Sequence, residues 1–387
     1  MVDFINLFIL INTCHARTQI GFILEKMKWN DITSLHLEIS SQCNAACPLC
    51  ARYPTSSLYE HPSITMDQVW TIEQVRARLP TADLVNIEKF LINGTLGDFI
   101  TNRDALEIVQ HFSAASPTAQ IEINTNGSAR TLEFWKSLAL IKNVRISFAL
   151  DGLEDTHHLY RRQTSWKFII KNAKTFINAG GTADWIMTRF AHNDHQIDAC
   201  ATLARELGFA KFYARYSDRY FAPARDKSGN STHELLPAPT APYTSSIRTL
   251  AQLQSKELRY RNGTFRAIQM YNSTPLPSLD NCESLRSQSI YVGADWSVAP
   301  CCFIGILSFT RETDHRYASF ATALTEAGLT LQDLIASTSV SAVVNRGFDW
   351  IYNRITTDRA LMSCFHSCHP EKSNFRISQA TKINRDL

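Results

Sequence analysis

An α/β fold is what this 387-residue sequence predicts: an incomplete (β/α)6 TIM-like barrel with parallel strands, followed by a small C-terminal α+β unit. Three observations carry that expectation. Six strand-like runs alternate with helical periodicities between residues 34 and 216, and such alternation calls for a parallel sheet with right-handed crossovers. The strands are polar along one face, whereas strands packed on both faces read as near-continuous aliphatic residues. Beyond about residue 220 the rhythm breaks and new cysteines appear.

Strands are expected at 34–40, 87–93, 120–125, 144–150, 183–190 and 210–216, where apolar and polar residues alternate. Helices are expected at 66–79, 102–115, 130–142, 165–178 and 194–207. Gly180 and Gly208 follow the last two and suit the left-handed conformation of a helix C-terminus. In Val144-Arg145-Ile146-Ser147-Phe148-Ala149-Leu150 one face is apolar and the other carries Arg145 and Ser147; Ile121-Glu122-Ile123-Asn124 repeats the pattern. A polar inner face marks a cavity for a polar ligand, and barrels keep their chemistry at the C-terminal ends of the strands. Residues 222–245 are rich in Pro, Ser, Thr and Ala and read as a linker or surface loop. The expected divisions are an extension at 1–29, the barrel at 30–221, a linker and helical connection at 222–275, the C-terminal unit at 276–372 and a polar tail at 373–387.

A chain that is 44% hydrophobic and 19% charged has the composition of an ordinary soluble globular protein. Its net charge of +3 gives no footprint for nucleic acid, so no such partner is expected. Ten cysteines without a secretory signal favour metal binding in a reducing, cytoplasmic setting over disulfides. The apolar run at 4–11 is too short to span a bilayer. It is expected to pack on the barrel, with a membrane-surface or targeting role as the alternative, and no membrane partner is expected.

The first strand, Leu35-His36-Leu37-Glu38-Ile39, leads into Cys43-Asn-Ala-Ala-Cys47-Pro-Leu-Cys50. Three thiolates so close can hold three irons of a four-iron cluster and leave the fourth open to a small chelating molecule. A structural zinc is the alternative, but it wants four ligands and the loop offers three; His36 and His61 stand on either side without completing a knuckle. Three further motifs close successive strands. They are Asn93-Gly94-Thr95-Leu96-Gly97-Asp98, Asn124-Thr125-Asn126-Gly127, and Asp151-Gly152-Leu153-Glu154-Asp155-Thr156-His157 with Arg161 beyond it. Glycines permit close backbone approach, and Asp98 suits an ammonium group. Each motif alone is a common turn; their order behind the cysteine loop is specific.

Together these residues resemble the radical S-adenosylmethionine (radical SAM) superfamily, whose signature is Cys-x3-Cys-x2-Cys. The resemblance implies a [4Fe-4S] cluster on Cys43, Cys47 and Cys50, with S-adenosylmethionine on the open iron through its amino and carboxylate groups. Gly94, Gly97 and Asp98 are similar to the "GGEP" element that grips the methionine amine, with Asp98 for Glu and Phe99 for Pro. Thr125 and Asn126 match its Thr-Asn-Gly. The resemblance places Ser147 and Asp151 near the ribose and pairs Arg161 with the methionine carboxylate, Arg162 being the adjacent alternative. Leu49 stands where an aromatic residue usually touches the adenine. The implied chemistry is reductive cleavage to methionine and a 5′-deoxyadenosyl radical that abstracts hydrogen from a peptide or small polar substrate. An external reductant such as flavodoxin or ferredoxin is implied as partner.

The second set of cysteines starts at Cys282, before strand-like Ser289-Ile290-Tyr291-Val292 and a turn at 293–296. Val298-Ala299-Pro300-Cys301-Cys302 follows, and much later Cys364 and Cys368. That order resembles the twitch domain, the shortened relative of SPASM, and implies an auxiliary [4Fe-4S] cluster on Cys282, Cys301, Cys364 and Cys368. All-cysteine ligation suits electron transfer, so the cluster is expected to accept the substrate's electron. Cys302 remains open as a replacement for Cys301, because neighbours in a strand point to opposite faces. A structural zinc on these four thiolates also stays open. Cys14 stands alone, and Cys200 reads as a small core residue. Tyr213, Arg215 and Tyr216 are either substrate contacts or barrel wall. A non-catalytic scaffold stabilised by zinc or a cluster is the alternative for the whole chain.

Overall fold

The computed structural model describes residues 27–48, 50, 52, 67–216, 223–225, 231–236, 238, 279–310, 316–355, 361, 363 and 364. The run at 4–11, Cys14, Leu49, Cys368 and the tail from 373 lie outside the described residues.

Six strands form the expected parallel ladder: β1 (Ser34–Leu37), β2 (Lys89–Ile92), β3 (Gln120–Thr125), β4 (Val144–Ala149), β5 (Thr182–Arg189) and β6 (Lys211–Tyr216). Their apolar sides, exemplified by Leu37, Ile92, Ile123, Phe148, Trp185 and Phe212, are buried in the core. Each such side chain contributes roughly 1.5–3 kcal/mol of burial. The opposite side of the sheet is the polar one. There Lys89 pairs with Glu122 at 2.7 Å, and Arg145 grips Asp184 through two bonds of 2.6 and 2.5 Å.

The crossovers carry α1 (Ile72–Arg78), α2 (Ala105–Ala115), α3 (Leu132–Ala139), α4 (Glu154–Tyr160), α5 (Trp166–Asn178) and α6 (Ile197–Glu206). Thr71, Thr131 and Ser165 cap α1, α3 and α5 by accepting from backbone N–H groups in the first turn. Those caps set helix starts later than apolar periodicity alone places the start of α1 and α3. Gly180 and Gly208 take φ of 92° and 82°, the left-handed conformation expected of them. Cys200 is buried in α6.

Two departures bear on the site. Residues 222–245 are not simply a linker, for β7 (Pro223–Arg225) and β8 (Ser231–Glu234) pair as an antiparallel ribbon. His233 Nε2 donates to the Leu159 carbonyl at 3.0 Å and Arg162 Nη2 to Thr232 Oγ1 at 2.8 Å, which docks the ribbon at the end of α4. Composition shows no sign of such a contact. The second departure concerns the C-terminal hairpin of β9 (Ser289–Val292) and β10 (Val298–Ala299). β9 pairs in parallel with β1, Ser34 opposite Ser289 through Leu37 opposite Val292, giving the order β10-β9-β1-β2-β3-β4-β5-β6. The hairpin therefore continues the barrel sheet. Trp70 stacks on Trp296 of its turn at 3.9 Å and donates to the Ala294 carbonyl at 3.1 Å. Among the described residues no helix is long and apolar enough to cross a membrane.

Candidate active site

The cysteine loop begins six residues after β1. A bond from Ala46 N to the Arg162 carbonyl (3.0 Å) pins it to the chain beyond α4. Cys50 N bonds to the Cys47 carbonyl at 3.0 Å and turns the last two cysteines toward each other. Cys47 is buried, while Cys43 and Cys50 are half-buried. Two donors from other strand ends reach the sulfurs: Asn126 Nδ2 lies 3.7 Å from Cys43 Sγ, and Arg161 Nη1 lies 3.9 Å from Cys47 Sγ. Burial, helped by the Asp98 carboxylate, pushes the Cys43 thiol up to about 12, and burial pushes Cys47 to about 11. Such thiols become thiolates at neutral pH only with a cation on them, and N–H donors at the sulfurs favour that state. Three cysteines in one loop, with N–H donors near two of their sulfurs, are a donor set whose chemistry suits an iron–sulfur cluster. His36 is not spare for a metal, since its Nε2 donates to the Asn93 carbonyl at 2.9 Å and burial lowers its pKa.

The glycines at the end of β2 are sterically required. A Cβ on Gly94 would lie 1.7 Å from the Gly97 carbonyl oxygen, and one on Gly97 would lie 1.8 Å from that of Ser40. Asp98 is buried and its oxygens are already occupied. Oδ1 accepts from Thr125 Oγ1 (2.7 Å) and Ile100 N (3.3 Å); Oδ2 accepts from Asn126 N (2.7 Å) and Asn126 Nδ2 (2.8 Å). Those bonds take the acceptor positions that an ammonium group would need. Here the acid clamps the ends of β2 and β3 together, and so aims Asn126 at Cys43.

Asp151, fully buried past β4, accepts from Arg161 Nε at 2.6 Å through Oδ2 and from Thr188 N through Oδ1. The spacing to His157 and Arg161 follows from α4. His157 lies in that helix and takes the Asp151 N–H on Nδ1 at 3.2 Å, while its Nε2 bonds Thr164 Oγ1 at 3.0 Å. Burial holds His157 down at about 4, so it is neutral and carries its proton on Nε2. Four residues on, Arg161 returns to the same place. Burial alone would lower its pKa, but the Asp151 and Cys47 charges override that and raise it. Arg161 thus bridges Asp151 and Cys47, whereas Arg162 is committed to Thr232 of the ribbon.

Ser147 is half-buried on the polar face, level with Asn124 and Asp184. Arg215 stands opposite Thr188 in the register, at the height of Asp151; solvent reaches it, yet surrounding protein lowers its pKa. Tyr216 carries the Arg189 guanidinium over its ring at 4.2 Å.

In the second group Cys282 and Cys364 are buried, and Cys301 and Cys302 half-buried. β10 ends at Ala299 and Cys302 opens a short helix, α7 (Cys302–Gly305), so strand alternation does not govern this pair. Burial raises the Cys301 thiol, and Cys302, Cys364 and Cys282 raise it further; burial and then Cys282 push Cys364 to about 12. The charges of Cys282 and Cys364 thus both bear on Cys301. Among the described residues no three His, Cys, Asp or Glu side chains are placed to hold a single metal ion.

Glu38 and Tyr291 escape sequence reasoning. Alternation along β1 assigns Glu38 to a wet face, but it is 1% exposed, and Tyr291 closes over it from β9.

A partial barrel with a three-cysteine loop and donor-bearing motifs at its strand ends defines the class. Residues 37–204 match the family model described as the Radical SAM superfamily. No curated protein matches it. Among solved structures, Streptococcus suis SuiB bound to precursor peptide SuiA is similar at 14% identity with a TM-score of 0.47, over 73% of this chain and 61% of that one. Native anSMEcpe with bound AdoMet is 16% identical at a TM-score of 0.43, over 69% and 74% of the two chains. BtrN in complex with AdoMet and 2-DOIA is 12% identical at a TM-score of 0.31, over 70% and 73%. The chain spans about 61% of the length of SuiB.

Proposed function

We propose that the protein is a radical SAM oxidoreductase acting on a peptide or small polar substrate. Cys43, Cys47 and Cys50 would hold the reactive [4Fe-4S] cluster, and Cys282, Cys301, Cys364 and Cys368 an auxiliary one. The observation that carries the reading is convergence: Asn126 and Arg161, from the ends of two different crossovers, both reach cysteine sulfurs of the same loop. A scaffold protein has no use for N–H donors aimed at cysteine sulfurs.

A cluster held by Cys43, Cys47 and Cys50 would supply the low-potential electron for reductive cleavage of S-adenosylmethionine. The chain's own work is positional. The Gly94–Gly97 backbone offers an approach for the methionine end, and Thr125 and Asn126 are held by Asp98. Asp151 fixes Arg161 beside Cys47, where a guanidinium can also meet a carboxylate. Ser147 lies on the same polar face, below Asp151, and Leu49 is assigned to the adenine by its place in the loop. Tyr213 and Arg215 line the side of the cleft left for substrate. Cys301 is favoured over Cys302 because its thiol feels both Cys282 and Cys364.

Anaerobic reconstitution with iron and sulfide tests this reading. Expected are an EPR change when S-adenosylmethionine is added and 5′-deoxyadenosine formed only with dithionite. Iron-loaded protein that shows neither overturns it.

A further inference from the structure

We propose that Glu38 is a positioning residue through which the C-terminal hairpin sets the backbone of the glycine-rich loop, and with it the affinity for S-adenosylmethionine. The loop's part in holding that molecule rests on the function proposed above; the connection itself does not.

The connection runs through three hydrogen bonds on one buried carboxylate. Glu38 Oε1 accepts from Leu96 N and from Gly97 N (3.0 Å), and Oε2 accepts from the Tyr291 hydroxyl. Leu96 and Tyr291 are buried with it. In such a place the Leu96 N–H and the Tyr291 hydroxyl each need a protein partner, since water is not at hand to replace one. The loop has little freedom to find others: Gly94 and Gly97 lie against the backbone of Gly97 and Ser40, and Asp98 N is tied to the Gln42 carbonyl at 2.8 Å.

Tyr291 in turn is placed by the C-terminal half. Its ring lies against Gly305, where a Cβ would come within 2.3 Å of it, and meets His36 edge-on at 5.2 Å. Gly305 N donates to the Cys301 carbonyl at 2.9 Å. A continuous path of contacts therefore leads from the backbone of Cys301 through Gly305, Tyr291 and Glu38 to Gly97, and Asp98 and Asn126 extend it to Cys43. The two cysteine groups share one hydrogen-bonded and packed line, with Glu38 at its centre.

The test uses the full, iron-loaded chain and two readouts: equilibrium binding of S-adenosylmethionine, and hydrogen exchange at the Leu96 and Gly97 amides. Glu38→Ala is expected to weaken binding about 10- to 100-fold and to speed exchange at both amides. Glu38→Gln keeps an acceptor for the two N–H groups and is expected to return within about threefold of wild type. Tyr291→Phe is expected to weaken binding about three- to tenfold at unchanged iron content. Tyr291→Phe protein with wild-type affinity and wild-type exchange would overturn the proposal, as would failure of Glu38→Gln to rescue. Exchange needs no ligand, so wild-type protein that binds no S-adenosylmethionine sinks the site reading and the affinity claim, while the amides still judge the Glu38–Tyr291 link.

Discussion

The two cysteine groups are reached from neighbouring parallel strands, β1 and β9, yet they are furnished differently. Around Cys43 and Cys47 the sulfurs meet side-chain N–H donors sent from distant crossovers. In the second group the Cys301 thiol is raised by burial and by Cys302, Cys364 and Cys282, and the buried Tyr352 hydroxyl, raised by burial and by Cys282 and Cys301, is held by Ser284 at 3.0 Å. On the proposed reading, donors at the sulfurs suit a cluster that exchanges a ligand, and all-thiol ligation suits one that passes electrons.

The strongest way to break that contrast is to remove one ligand from each group. Cys47→Ala is expected to abolish the EPR response to S-adenosylmethionine. Cys282→Ala is expected to keep the response while roughly half the iron is lost. An iron content unaffected by Cys282→Ala would mean that the second group holds no cluster. A smaller effect separates the ion pairs of the two regions. Arg161→Leu strands the fully buried Asp151 carboxylate and is expected to cost about 3–5 kcal/mol in chemical denaturation. Arg346→Leu, whose partner Asp333 is 3.9 Å away with both side chains largely exposed, is expected to leave the denaturation midpoint nearly unchanged.

The smallest effect is on pH dependence. Burial raises Glu38 from 4.5 to about 7, so between those values the folded chain holds a proton that the unfolded chain has released, and stability falls as pH rises. Burial lowers His157 from 6.5 to about 4, so there the unfolded chain holds the extra proton, and stability rises with pH across that window. Glu38→Gln removes only the falling slope. Its Tm is expected to climb relative to wild type between about pH 5 and pH 7, and a parallel pair of curves would contradict the assignment.

Much of the barrel was legible because each strand is short, alternating and bounded by a turn, as Val144–Ala149 is. The motifs at the strand ends were legible because backbone demands fix their residue types: nothing larger than glycine fits at Gly94 or Gly97. Partner choice was not legible. Asp98 looks available in sequence, and only the fold shows Thr125 and Asn126 already bound to it. Glu38 looks solvated because alternation reports which face a residue takes, not what later covers that face. The β9 hairpin announces its own turn, but parallel pairing with a strand at the far end of the chain leaves no local mark. The same holds for the β7–β8 ribbon, which is secured by contacts to Leu159 and Arg162.

The seam between β1 and β9 also has a consequence for biosynthesis. All six barrel strands leave the ribosome before the one that shields the outer margin of β1 has been made. During that interval the amides of β1 lie open to any extended segment nearby, the usual start of mispairing. A nascent chain halted short of Ser289 is adhesive, and the late-made polypeptide serves as its cover.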